Sequence, residues 1–480
     1  MELLLDIQKT FLQELSLIIF MIINIILSLF FSKRFYKLSK WIAIIAITVT
    51  MLVSIFFVQL STDNDYAFNN AFISNIYTVF FKNLVLIASF FVILLSRNMI
   101  KQKRNKAFEY FTLLLTAILG AFCLISSNDF ISAFVSLETL SISCYFLASF
   151  HKNYKAKEAG MKYLIIGSVA SAIFLLGVSY LYGSCGAVNF SMINDFYLQN
   201  NPTLMYTLAG FLTIVGLMFK IGCVPFSNWV PDIYEGASYP VGAFLSLVPK
   251  LAGFAILARL LIFVFVFSPI LKILAFGFAV LSIIFGTLGA IKQTNIKRLY
   301  GYSSIAHSGF ILLGLSVLSV YGLSTVLFYL FCYVFMNIGV WTASIIFNTS
   351  YPSDLISDYK GLLYNRPYYA IAFTICLLSL AGLPPTAGFL AKLYLFSAVA
   401  RAGMIYIPGL LIALIFTVAG LYFYFNLVKV VFEKSNTTPA IDTHLISSKF
   451  ILYACAFTTV ILCIFAEKII QLCQLAAYYI

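Results

Sequence analysis

Five ionisable residues interrupt long apolar stretches of this chain. Glu138 is centred in FISAFVSLETLSISCYF, Lys220 precedes Pro225, and Lys250 follows Pro249. His307 lies in YSSIAHSGFILLG, and Lys392 follows Pro384 and Pro385 in LAGLPPTAGFLAKLYLF. An ionised side chain at the centre of a bilayer costs ~2.5–3.5 kcal/mol on the insertion scale, so each is a functional candidate. A buried ammonium group crowded by like charges gives up its proton more readily than one in water. One carboxylate among three lysines is therefore a set of groups suited to taking and releasing protons. The competing reading is a static set of buried ion pairs, and for His307 a packing histidine. Lys82, Lys162, Arg259 and Lys272 lie nearer the ends of apolar runs. There Lys162, Arg259 and Lys272 read as side chains reaching the interface, and Lys82 as the counter-charge of a neighbouring acid.

These residues need membrane-spanning elements to hold them. Mean hydropathy is +1.00, with 62% hydrophobic and 10% charged residues over 480 positions. A soluble domain carries far more charge. Apolar runs of about 20 residues, the length of a membrane-spanning helix, recur throughout. They read as about fourteen spans: 11–31, 41–60, 76–95, 108–126, 130–150, 159–182, 204–226, 241–267, 270–291, 299–320, 323–347, 368–400 (broken), 405–432 and 445–472. The expected fold is an all-α polytopic membrane protein. The net charge of +13 reflects basic loops rather than nucleic-acid binding. Lys33, Arg34, Lys37 and Lys40 follow the first span, Arg97 to Lys106 the third, Lys152 to Lys157 the fifth, and Lys292 to Arg298 the ninth. Asp63 and Asp65 follow the second span, and Asn128 and Asp129 the fourth. This alternation puts the basic loops in the cytoplasm and both termini outside. The segment 227–240 dissents, because it holds Asp232 and Glu235 where basic residues are expected. The first nine residues lack the basic start of a signal peptide, so the first apolar run is expected to remain.

Proline removes a backbone donor and breaks the helix around it, and freed backbone groups must be packed in protein or line a wet cavity. Pro225 and the Pro384–Pro385 pair thus predict two interrupted spans, the seventh and the twelfth, each with a lysine beside the break. Paired discontinuous helices of this kind are a feature of transporters built from inverted repeats. The repeats would be spans four to eight and nine to thirteen, giving an N-terminal segment 1–107, repeats 108–267 and 268–432, and a C-terminal helix in 433–480. Nine cysteines form no C-x-x-C, and no P-loop or G-x-G-x-x-G is present. The chain is accordingly expected to bind no nucleotide, metal or redox cofactor itself.

Four segments carry a family resemblance: KYLIIGSVASAIFLLG (162–177), MFKIGCVPFSNWVPDIYEGASYPVGAFLSLVPKLAGF (218–254), KQTNIKRLYGYSSIAHSGFILLG (292–314) and LAGLPPTAGFLAKLYLF (380–396). In this order they resemble subunit N of bacterial respiratory complex I (NADH-quinone oxidoreductase), whose mitochondrial counterpart is NADH dehydrogenase subunit 2. The resemblance implies an antiporter-like fold with two inverted five-helix repeats, in the membrane arm among other membrane subunits. It implies proton pumping coupled to quinone reduction, with NADH, FMN, iron–sulfur clusters and quinone handled on other subunits, and a bacterial inner-membrane location. It also matches Glu138 to the family's essential glutamate, and Lys162, Lys220, Lys250 and Lys392 to its helix-borne lysines. Lys162 would then tune or feed the Glu138–Lys220 pair, and protons would pass by Lys250 and His307 towards Lys392. Ser227 departs from the family, where many relatives have histidine. The alternatives are a subunit of a multi-subunit sodium–proton antiporter, the same subunit in a ferredoxin- or F420-linked complex, and an inert scaffold.

Overall fold

A computed structural model describes residues 10–30, 36–60, 64–151, 153–434 and 446–480. The first nine residues, Lys33, Arg34, Asp63 and Lys152, on which part of the charge reading rests, lie outside them. Among the described residues twelve helices are long and apolar enough to cross a membrane. The expected span 368–400 is split into two helices of 15 residues each. The span expected at 299–320 is a helix of 20 residues that begins at Ile296 and carries Lys297 and Arg298. One departure from an all-helical chain is a small antiparallel pair, β1 (Asp65–Ala67) and β2 (Phe72–Ser74), in the loop after the second helix. Phe68, Asn69 and Asn70 make its turn with positive φ, a region that asparagine tolerates better than most residues.

The chain packs as two compact units. The first takes the chain up to Ile221, then Leu247–Ile273 and Leu475–Ile480. Its helices are α1 (Leu12–Phe30), α2 (Tyr36–Leu60), α3 (Ile76–Leu95), α4 (Ala107–Ser126), α5 (Phe130–Ala148), α6 (Tyr154–Cys185), the short α7 (Phe190–Gln199) and α8 (Leu204–Ile221). Side-chain caps start several of them. The Asp129 carboxylate accepts from the Ser132 amide at 2.6 Å to open α5, and the Asn153 side chain accepts from the Ala156 amide at 2.9 Å to open α6. Such caps satisfy amide groups that have no partner inside the helix. With 32 residues, α6 is about 48 Å long at 1.5 Å per residue, well beyond the ~30 Å hydrocarbon layer. It packs closely on α8 because a glycine of each helix faces the other: a Cβ on Gly177 of α6 would lie 2.7 Å from the Thr213 amide, and one on Gly216 of α8 would lie 2.7 Å from Phe174 Cβ. Small residues let membrane helices approach in this way.

The second unit holds Gly222–Ser246 and Leu274–Gln474. It contains α9 (Trp229–Gly236), the first turns of α10 (Tyr239–Arg259), most of α11 (Pro269–Ile291), α12 (Ile296–Leu315), α13 (Val320–Ser350), α14 (Pro367–Ala381), α15 (Ala387–Arg401), α16 (Ile407–Phe432), α17 (Ile446–Ile464) and the start of α18 (Ala466–Tyr478). Here α13 is the buried centre, enclosed along most of its length, whereas α16 is largely exposed.

Candidate functional site

In the first unit the helical period gathers one stripe of α5. Glu138, Ser141 and Tyr145 are spaced i, i+3 and i+7 and so share a face. Lys220, one residue before the end of α8, reaches this stripe. Its Nζ donates to Ser141 Oγ at 2.7 Å and to the Tyr145 hydroxyl at 3.2 Å, and stands 3.9 Å from Glu138 Oε1. The carboxylate meanwhile accepts from Ser171 Oγ on α6. The lysine side chain is 7% exposed and the glutamate 25%. Each charge therefore has a neutral hydroxyl of its own, and the two attract across a gap instead of being locked in a hydrogen bond. Room for the Tyr145 hydroxyl comes from Gly167, where a Cβ would lie 2.0 Å from that oxygen. Lys250 is 4% exposed on α10. Gly253, one turn on, lets α10 meet Ile221, the residue after Lys220, with a Cβ position 2.6 Å from Ile221 Cγ2.

Lys162 occupies a different setting. It is 43% exposed, and its Nζ pairs with Glu158 Oε1, one turn earlier on α6, at 2.8 Å. Nine residues separate it from Ser171, about 13 Å along the helix. The expectation that Arg259 reaches the interface is overturned. It is 2% exposed, donating to the carbonyls of Ile125 at 3.2 Å and Ser127 at 2.8 Å, with its guanidinium 5.5 Å from the Tyr77 ring centroid. The end of α4 leaves those carbonyls without helical partners, and a planar guanidinium satisfies two at once. Lys82 does face an acid, Glu14 of α1 at 2.7 Å. Glu14 escaped the sequence reading because it stands only three residues into the first apolar run, where an acid reads as a helix-start residue.

The second unit contains His307 and Lys392. His307 Nδ1 lies 2.7 Å from the Tyr329 hydroxyl and Nε2 3.2 Å from that of Tyr424, so both ring nitrogens have phenol partners. Lys392 sits against the break between α14 and α15. The amides of Gly382 and Leu383 bond back to Leu378 and Ser379. The next two carbonyls, Leu380 and Ala381, receive the Lys392 ammonium at 3.2 and 2.8 Å. All four terminal carbonyls that a helix leaves unpaired are thereby accounted for, two by a lysine that also meets the negative end of the helix dipole. Phe310, one turn after His307, lies under the Lys392 Nζ at 5.1 Å. The acidic segment 227–240 finds its reason in this unit as well. Arg298 Nη1 contacts Asp232 Oδ1 at 2.7 Å and Glu235 Oε2 at 3.0 Å, and Lys297 Nζ lies 3.2 Å from Asp354 Oδ2. Ser227 is buried on the approach to α9.

Comparison with known proteins follows the same lines. Residues 127–420 match the family described as "NADH:quinone oxidoreductase/Mrp antiporter, TM". The chain is 40% identical over 408 residues to NAD(P)H-quinone oxidoreductase subunit 2 of Picosynechococcus sp., covering 82% of this chain and 76% of that one. It is 37% identical over 434 residues to the protein of that name in Trichodesmium erythraeum, covering 89% and 81%. Among solved structures it resembles a chain of respiratory complex I from Thermus thermophilus with bound aureothin, at 27% identity and a TM-score of 0.81 over 96% of this chain and 98% of that one. A chain of the membrane-bound sulfane sulfur reductase, an archaeal respiratory membrane complex, matches at 25% identity and TM-score 0.85, over 97% of each. One from the Mrp complex of Dietzia sp. matches at 19% and 0.85, again over 97% of each, which speaks for the fold alone. A match over more than half the chain, together with relatives near 40% identity, places this protein in the NADH:quinone oxidoreductase/Mrp antiporter transmembrane family.

Proposed function

We propose that the chain is the subunit-N-type (subunit 2) antiporter-like component of a complex I membrane arm, a subunit among other membrane subunits, and that it translocates protons. On this reading it lies in the bacterial inner membrane with both termini outside, and the electron-transfer cofactors belong to other subunits. Two inverted five-helix repeats, each with one broken helix, would frame the path. The observation that carries the reading is the loosened Glu138–Lys220 pair, a buried lysine facing a half-buried carboxylate, each supplied with alternative hydroxyl partners, in a chain of the NADH:quinone oxidoreductase/Mrp antiporter family. Unit charges about 4 Å apart attract by ~4 kcal/mol at an effective dielectric of ~20. Moving one proton against 100 mV requires ~2.3 kcal/mol. Opening or closing this one contact is thus on the scale of the work to be done.

In the proposed cycle, Glu138 stabilises the Lys220 ammonium in one state. Input from a neighbouring subunit moves the carboxylate, already held by Ser171, further from Lys220. Lys220, left with Ser141 and Tyr145, releases its proton, and Lys250 is the next acceptor. His307 and Lys392 carry the corresponding transfer in the second unit, where the carbonyls of Leu380 and Ala381 stabilise the charged lysine. Lys162 tunes the field at Glu138 from the exposed side of α6.

Proton pumping in inverted membrane vesicles tests this, comparing the intact complex with Lys220→Ala, with and without sodium and with assembly checked by gel. Lost pumping in an assembled complex, indifferent to sodium, is the expected result. Retained pumping makes the chain a scaffold, and a sodium requirement moves it towards the sodium–proton antiporter class.

A further inference from the structure

Arg259 is enclosed at a cost that nothing in the proposed cycle accounts for. Its Nε and Nη2 have no hydrogen-bond partner, and among the described residues no carboxylate pairs with it. A buried charge without a counter-charge is strongly unfavourable, and an apolar side chain of similar volume would avoid it. What the guanidinium supplies instead is direction, a planar fork that holds its acceptors in place. Those acceptors, the Ile125 and Ser127 carbonyls, stand at the turn between α4 and α5. That corner is strapped from several sides. The Asn128 amide donates to the Ala71 carbonyl at 2.8 Å, the Phe190 amide to the Asn128 carbonyl at 3.0 Å, and the Phe130 amide to the Val188 carbonyl at 3.1 Å. The start of α5, which carries Glu138, and the segment after α6, which carries Ser171, are thus joined to β1–β2 in one frame. Arg259 ties that frame to α10, nine residues after Lys250. One turn earlier on α10, the Ala255 carbonyl accepts from the Tyr77 hydroxyl of α3 at 2.8 Å.

The other end of α5 is held by the same chemistry. Lys103, in the linker between α3 and α4, donates to the carbonyls of Phe150, at 3.3 Å, and of His151, just past the end of α5. A cation there also meets the negative end of the helix dipole. Between these two ends one side of α5 is uncovered, with Ile131, Val135, Ile142 and Phe146 all exposed. A helix shifts as a rod, so the ties at its ends set where Glu138 stands. A slip of one residue's rise, ~1.5 Å, is large against the 3.9 Å between Glu138 and Lys220.

We propose that Arg259 and Lys103 are positioning residues of the proton path: by bonding to carbonyls at the two ends of α5 they fix that helix along its axis, and with it the gap across which Glu138 faces Lys220. Neither side chain carries a proton in the cycle, and each acts only through the backbone it holds. The proposal rests on the proton-translocation reading of the Glu138–Lys220 pair.

The test uses the assembled complex with Arg259→Met, Arg259→Lys and Lys103→Met. Lys272→Met, at a lysine with no hydrogen bond or ion pair, controls for loss of a cation from the same unit. Protons pumped per quinone reduced are measured in inverted membrane vesicles, and amide hydrogen exchange over 127–151 in the purified complex. The expected result is faster exchange there in both Met variants of the proposed residues, with fewer protons pumped per quinone, and recovery of most of that loss in Arg259→Lys. Unaltered exchange in both overturns the proposal, as does an equal loss of pumping in Lys272→Met. A lowered melting temperature with an unchanged pumping ratio marks a purely structural role and overturns it too. Should Arg259→Met fail to assemble, Lys103→Met decides by the same two readings. A loosened α5 with a normal pumping ratio, beside a Lys220→Ala complex that no longer pumps, removes the positioning role and leaves the proton reading intact. Normal pumping in Lys220→Ala removes that reading, and the proposal with it.

Discussion

Lys220 is held chiefly by hydroxyls, at 2.7 and 3.2 Å, and only across 3.9 Å by its carboxylate. That arrangement separates two substitutions. Lys220→Arg keeps the charge, but a guanidinium does not release its proton. It is expected to assemble and to abolish pumping in the vesicle assay, while a lysine whose role is only structural would tolerate the change. Glu138→Gln keeps the shape and the bond from Ser171 but leaves the ammonium without its counter-charge, held by Ser141 and Tyr145 alone. It should lower the thermal stability of the purified complex by about 1–3 kcal/mol, the cost of an under-satisfied buried polar group, and should cut both pumping and coupled quinone reduction. Pumping at the original rate in the assembled complex would remove Glu138 from the mechanism.

At the scale of the element, the break after α14 does more than end a helix. Gly382 has φ of +85°, and a Cβ there would lie 2.8 Å from Lys392 Cδ. Gly382→Ala therefore meets two obstacles, a left-handed backbone that costs an L-residue ~1–2 kcal/mol and the lysine stem itself. The expected outcome is a destabilised complex in which Lys392 is displaced from the Leu380 and Ala381 carbonyls, read as a lowered melting temperature together with reduced pumping. In the first unit Gly167→Val plays the comparable part. It forces the Tyr145 hydroxyl away from Lys220 and should reduce pumping, whereas Gly183→Ala on the same helix, where a Cβ finds only Met205 Cε at 3.5 Å, should leave it unchanged.

At the scale of the molecule, charge is distributed for two purposes. Basic loops alternate with acidic or neutral ones along the chain, while the acids of 227–240 are drawn in to hold Arg298 at the start of α12. Losing Arg298 frees two carboxylates near one another, so Arg298→Ala should destabilise the second unit. The exchange Asp232→Arg/Arg298→Asp should recover part of that loss in a thermal melt, because it restores one opposite-charge contact but leaves Glu235 facing an acid. Equal melting of the single and exchanged variants would show that the network is incidental.

Much of this was open to reading from residues alone, for a physical reason. Lipid offers no hydrogen bonds, so spans must be long apolar helices, proline breaks must be sheltered, and ions among them stand out against their neighbours. That logic located the helices, the two interruptions, the buried Lys220, Lys250, His307 and Lys392, and the half-buried Glu138. It could not say which partner each ion would meet, because partners come from helices distant in sequence. Ser171 and Ser141 read as ordinary small residues, Gly167 as a packing position, and Glu14 as the opening of a helix. Arg259 reads from its position as an interfacial side chain, but the carbonyls of Ile125 and Ser127 at the end of α4 hold it inside. Lys162 carried a sequence match, yet it stands half-exposed beside Glu158. The hydropathy of the chain determined that it spans a membrane and where its charges are costly. Only the tertiary packing decided which of those charges are opposed, which are satisfied by hydroxyls or helix-end carbonyls, and which are left to water.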